Sequence, residues 1–146
     1  MVQKKIIDFK EHTDGRGSLI ALEYPKQIPI EIKRIYYIYN VKKDTPRGFH
    51  SHKNLNQILI AISGCVKVKI SDSYEDEIIT LDSNNKGLLI GPMIWREMFD
   101  FSKDAVLLVL ADHEYDESDY IRDYDEFIKL GREYWKKWIY MEKQFI

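Results

Sequence analysis

A chain of 146 residues, 45 % apolar and 32 % charged, can hold one domain with a full core and has the composition of a globular protein. Its net charge of −2 supplies no field for nucleic acid or an anionic membrane, so an anionic ligand would need a local cluster of Arg and Lys. No apolar run approaches the roughly 20 residues that span a bilayer. The start, MVQKKIIDFK, has no apolar stretch behind its charges, and the single cysteine allows no internal disulfide. A cytoplasmic protein is the expectation.

Taken in order, the first 110 or so residues are short apolar runs broken by turns. Asp14-Gly15-Arg16-Gly17 is a turn ahead of the run Ser18 to Leu22. Ile32 to Tyr39 is β-branched and aromatic; within it Arg34 and Tyr36 share one face and Tyr37 takes the other. Asp44-Thr45-Pro46 breaks the chain before Arg47 to His52. Gln57 to Ile62 is a further strand closed by Ser63-Gly64, and Cys65 beyond it reads as a buried structural thiol. Val66, Val68 and Ile70 alternate with Lys67 and Lys69, the mark of a strand with one wet face. Asp72 to Asp76 reads as a hairpin loop. Ile78 to Leu81, Gly87 to Gly91 and Ala105 to Ala111 follow, and the unbroken Val106 to Leu110 predicts a strand covered on both faces.

From Ser118 the pattern changes to the helical period. Tyr120, Ile121, Tyr124, Phe127 and Ile128 recur at three- and four-residue steps, with Ser118 as the N-cap. Trp135, Trp138, Ile139 and Met141 form a second amphipathic stretch beyond Gly131. The prediction is one all-β domain over residues 1–146, a sandwich or barrel, with 118–146 as a mainly helical extension on its outside. Arg122 would tie that extension to the barrel.

The informative segment is RGFHSHKNLNQILIAISG, Arg47 to Gly64. On a strand, residues two apart share a face, so His50 and His52 present two imidazoles into one space, with Gln57 at the opening of the next strand facing it. This spacing resembles the first motif of the cupin superfamily, His-x-His followed by a Glu and a Gly. GLLIGPMIWREMFDF, Gly87 to Phe101, resembles the second, with Pro92 in place. The metal pattern fails twice. Gln57 replaces the ligand Glu, and Arg96, which has no lone pair to give, stands where the third His belongs. A site without metal and without cofactor is predicted. Two neutral imidazoles whose pKa lies near working pH suit proton transfer there.

The chain is then identified as similar to one cupin family, the dTDP-sugar 3,4-ketoisomerases. The resemblance is carried by IPIEIKRIYYIYNV, PRGFHSHKNLNQILIAISG, GLLIGPMIWREMFDF and YDESDYIRDYDEF, four stretches in the right order covering nearly the whole chain. It implies a jelly-roll homodimer, no metal, a dTDP-4-keto-6-deoxy-D-glucose substrate, and His50, His52 and Tyr36 as the groups that act on the sugar. It also implies a role in making 3-amino-3,6-dideoxy sugars for surface glycans. His50 is assigned as the base at C3, with His52 and Tyr36 polarising the C4 carbonyl and relaying the proton. For the diphosphate the candidates are Arg47 and Arg16, then Lys33, Arg34 and Lys53; Gln57, Trp95 and Arg96 complete the substrate-binding set.

Members that form the galacto product tend to carry Arg in the Asp-x-x-Gly turn and His after the Trp of the second motif. Gluco-formers tend to carry Tyr and Arg there. Arg16 matches the first group and Arg96 the second; the run Trp95 to Phe101 favours gluco. Three other readings stay open at this point: a nucleotide-sugar 3,5-epimerase, a metal-dependent cupin oxygenase and a non-catalytic sugar-binding cupin.

Overall fold

The computed structural model describes residue 2 and residues 5–145. Twelve strands and one α-helix follow in order: β1 (Lys5–Asp8), β2 (Glu11–Asp14), β3 (Gly17–Ile20), β4 (Arg34–Tyr39), β5 (Arg47–His52), β6 (Gln57–Ser63), β7 (Val66–Ser71), β8 (Asp76–Leu81), β9 (Lys86–Ile90), β10 (Trp95–Phe99), β11 (Val106–Ala111), β12 (Tyr120–Ile121) and α1 (Tyr124–Gln144). Two five-stranded sheets, ordered β1-β9-β6-β11-β4 and β12-β5-β10-β7-β8, face each other as a jelly roll. The β2–β3 hairpin pairs with neither sheet.

The alternation read from the sequence decides what lies between the sheets. Val66, Val68 and Ile70 of β7 point inward to meet Leu59, Ala61, Leu107 and Val109 of the opposite sheet. Lys67 and Lys69 stay on the outside and pair with Asp100 and Asp76. The unbroken run of β11 is covered on both faces. Leu107 and Val109 enter the central core, while Leu108 and Leu110 pack into an outer cluster with Phe9, Ile28, Ile30, Ile58 and Ile60. Burying both faces of this strand requires the loop that carries Ile28 and Ile30, which caps the outside of the first sheet.

The C-terminal region departs from expectation. Ser118 caps no α-helix. It lies in a 3-10 turn over Glu117–Asp119 whose N-cap is Asp116, and Tyr120 and Ile121 are a short strand beside β5. One helix, not two, then runs through Gly131, capped by the Asp123 side chain accepting from the Glu126 N–H. Gly131 does not interrupt it, because the missing side chain lets the helix sit against Ser73, whose Cβ lies 3.0 Å from where a Cβ would be. Phe127 is fully buried against Met93, Trp95 and Ile121, which fixes the helix to the outside of the second sheet. Arg122 precedes the helix and is bound within its own segment, to Glu117 at 2.7 Å. Cys65 is half-buried rather than buried.

Candidate active site

Five inward-facing side chains from four strands meet at one end of the sandwich. Tyr36 comes from β4, His50 and His52 from β5, Gln57 from β6 and Arg96 from β10. The two imidazoles lie 4.9 Å apart, edge to face. A β-bulge aims them. Arg96 pairs with His50 across β10–β5 but Glu97 pairs with Gly48, so Phe49 is the extra residue. Gly48 has φ +91, and a Cβ there would lie 2.9 Å from the Arg96 carbonyl oxygen. Only glycine lets β5 run this close to β10 at that point.

Behind the histidines runs a hydrogen-bonded line. An Arg96 guanidinium N–H donates to Gln57 Oε1 at 2.6 Å, and Gln57 donates through Nε2 to the Tyr36 hydroxyl at 3.3 Å. Arg96 also donates to the Ile94 carbonyl at 2.9 Å. The guanidinium is fully buried with no carboxylate among the described residues bound to it, and burial lowers its pKa to about 10, which leaves it a cation at neutral pH. That cation reaches its neighbours. Burial first, then the Arg96 charge, holds His50 down at about 4 and His52 at about 2. The imidazoles are therefore neutral at any working pH, well below the near-neutral titration read from the sequence. Tyr36 is pushed up by its burial, against the pull of Arg96, so it keeps its proton.

His52 Nδ1 lies in hydrogen-bond contact with Asp119 Oδ2, 3.1 Å away, a carboxylate brought in by the 3-10 turn. Tyr120 lies over both imidazoles, 5.0 Å from His50 and 4.3 Å from His52. Sequence reading missed both groups, because the helical period over Ser118 to Ile128 hid the turn and strand that carry them. A cavity of about 760 Å³ opens at this end, lined by Lys33, Arg34, His52, Tyr115, Asp119 and Tyr120 among others. Arg34 stands over the Tyr36 ring at 4.7 Å.

The remaining predicted contacts scatter. Trp95 alternates to the other face of β10 and packs under the helix with Tyr124 and Phe127, so it belongs to the outer core rather than to the substrate space. Arg16 is exposed at the tip of the β2–β3 hairpin, bound to Asp14 at 2.7 Å. Arg47 is exposed and lines a different hollow, with Tyr39 to Phe49. Lys33 pairs with Glu31. Lys53 donates to the Ser118 carbonyl. Of the proposed diphosphate cations, Arg34 and Lys33 border the cavity and Arg47 does not.

The family described as "FdtA: WxcM-like, C-terminal" matches residues 2–132. The TDP-4-oxo-6-deoxy-alpha-D-glucose-3,4-oxoisomerase of Aneurinibacillus thermoaerophilus is 51 % identical over 128 residues, 88 % of this chain and 92 % of that one. The chain belongs to the TDP-sugar 3,4-ketoisomerases. Two solved 3,4-ketoisomerases superpose on it. The Helicobacter canadensis enzyme is 52 % identical with a TM-score of 0.87, covering 90 % of this chain and 99 % of its own. A mutant of QdtA from Thermoanaerobacterium thermosaccharolyticum, in complex with TDP-4-keto-6-deoxyglucose, is 47 % identical with a TM-score of 0.88, covering 91 % and 96 %. As a 3,4-ketoisomerase the chain is an enzyme, and the epimerase, oxygenase and pure binding readings are set aside. Among its described residues no helix is long and apolar enough to cross a membrane.

Proposed function

We propose that this ketoisomerase converts dTDP-4-keto-6-deoxy-D-glucose to a dTDP-3-keto-6-deoxyhexose with gluco configuration, which a PLP aminotransferase then takes to a 3-amino-3,6-dideoxy sugar. The observation that carries the reading is the pair of neutral, buried imidazoles beside Tyr36 at the end of the jelly roll. The C4 ketone acidifies the C3 proton. His50, neutral and free of a protein carboxylate, removes it and leaves an enediolate across C3 and C4. Tyr36, holding its proton, and His52 polarise the oxygen at C4 and relay the O3 proton to it, and His50 returns the carbon proton at C4, so that O3–H breaks as O4–H forms and each side chain ends as it began. One C–H bond breaks and one forms, with no net oxidation.

The same geometry supports a reaction without metal. The Gln57 amide oxygen, the atom a cation would have to use, already accepts from Arg96, and that guanidinium would sit against any cation placed there. Arg34 and Lys33 at the cavity rim are suited to the diphosphate. A homodimer is supported by the outer face of the edge strand β4, where Ile35, Tyr37 and Tyr39 are each more than half exposed. The product is the test. Incubation with dTDP-4-keto-6-deoxyglucose, trapping with a 3-aminotransferase and NMR of the amino sugar give a gluco 3-amino product if the reading holds. An unchanged C4 ketone overturns it.

A further inference from the structure

A second hollow, of about 460 Å³, lies between the C-terminal half of α1 and the barrel and shares no lining residue with the cavity at the imidazoles. Trp135, Trp138, Ile139 and Glu142 line it from α1, at the spacing that puts residues on one helix face. Tyr134 completes the wall, its ring 4.8 Å from Trp135 and 6.4 Å from Trp138. Trp135 is held in place by its indole N–H, which donates to the Met93 carbonyl at 3.1 Å. The family match ends at residue 132, so this aromatic wall lies beyond the shared ketoisomerase frame.

Two carboxylates share the hollow with these rings. Glu142 takes a place in the apolar stripe, in the last turn of the helix, where the negative end of the helix dipole opposes a carboxylate. Asp72, in the turn between β7 and β8, is 2 % exposed. Its Oδ1 accepts the backbone N–H groups of Tyr74 and Glu75, both at 2.8 Å, and so shapes the turn. Its Oδ2 is buried with no hydrogen-bond partner among the described residues. An asparagine would shape the same turn through its amide oxygen without burying a charge. Neither carboxylate forms an ion pair with a lysine or arginine among the described residues. Lys5, which also lines the hollow, is exposed. A buried charge without an opposite one is costly, and aromatic faces attract cations. We propose that this hollow binds an organic ammonium ion with an apolar body. The rings pack on the body and face the cation, and Asp72 with Glu142 supply the opposite charge. Asp72 attracts the cation without touching it, because charges act across the apolar interior with little screening. The same two groups repel an anion, and a neutral apolar molecule would leave Asp72 unbalanced.

The experiment is an NMR titration of the full chain with 2-phenylethylammonium chloride and, separately, with its neutral counterpart 2-phenylethanol, following the tryptophan indole N–H signals. Trp135 and Trp138 line the hollow, whereas Trp95 does not and serves as the internal reference. The ammonium should shift the Trp135 and Trp138 signals saturably and leave Trp95 in place. It should bind about tenfold or more tightly than the alcohol, the scale of a cation held by aromatic faces and a poorly solvated carboxylate. Asp72→Asn keeps the oxygen that shapes the turn and should bring the two affinities together by weakening the ammonium alone. Glu142→Gln, on the exposed last turn, should narrow the gap in the same sense. No saturable shift at Trp135 and Trp138, equal binding of the alcohol, or an undiminished preference for the ammonium in Asp72→Asn would overturn the proposal. The comparison of the two ligands on the wild type decides even if Asp72→Asn does not fold.

Discussion

Arg96 is the one arginine or lysine buried among the described residues, and three consequences meet on it. It orients Gln57, through Gln57 it orients Tyr36, and its charge adds to burial in keeping both imidazoles neutral. A neutral His50 is ready to accept the C3 proton but is a weaker base than a free imidazole. The negative enediolate has to offset that in the transition state. Replacing His50 by an amide removes the lone pair at its reactive nitrogen. His50→Asn should lower kcat by about 10²-fold or more and abolish deuterium exchange at C3, followed by ¹H NMR in deuterated water. Full activity in that variant would refute the mechanism. Arg96 also bears on stereochemistry, since protonation on either face of planar C4 is chemically available. A guanidinium cannot give up its proton, whereas a histidine can act as a second acid. Arg96→His should raise the galacto fraction of the product, read from the H4 couplings. A wild-type product that is already mainly galacto would show that Arg16 outranks Arg96.

At the scale of elements, the site depends on turns as much as on strands. Gly64 ends β6 at φ +66, and a Cβ there would lie 2.8 Å from the Ala105 Cα. Gly64→Ala should therefore cost about 2 kcal/mol or more, from the left-handed backbone and the clash together. Denaturant titration measures it, and a loss under about 0.5 kcal/mol would mean that the turn adapts. Period-2 alternation made much of this framework legible. It placed His50 and His52 on one face and both faces of β11 in apolar surroundings. The same rule, applied to Trp95 beside Arg96, was enough to send Trp95 to the opposite face; reading the motif as one block obscured that. The bulge at Phe49 was not legible, because it depends on how Gly48 meets β10. Tyr120 and Ile121 fit the helical period of the residues after them, so the short strand and the turn holding Asp119 were read as helix. β1 and β2 were missed because they are short and largely polar or half-exposed, with no periodicity to mark them.

Across the whole molecule, the fold places two titratable rings where protons are refused, and this couples stability to pH. In an unfolded chain both histidines titrate near 6.5; in the fold His50 is held at about 4 and His52 at about 2. Below about pH 6.5 the unfolded state binds protons that the folded state does not. Stability is therefore fully present above about 6.5 and is lost as the pH falls toward 4 for His50 and 2 for His52. The limiting slope is about 1.4 kcal/mol per pH unit for each ring. Most carboxylates titrate lower, so the interval from about pH 6.5 to 5 reports mainly on histidines. Urea unfolding at steps through this interval should show the wild type losing stability more steeply than the double variant His50→Asn, His52→Asn. The variant lacks both rings, so the difference between the two slopes isolates the pair. Parallel slopes would mean that the two rings bind protons in the fold as readily as in the unfolded chain, and the pH coupling would fall.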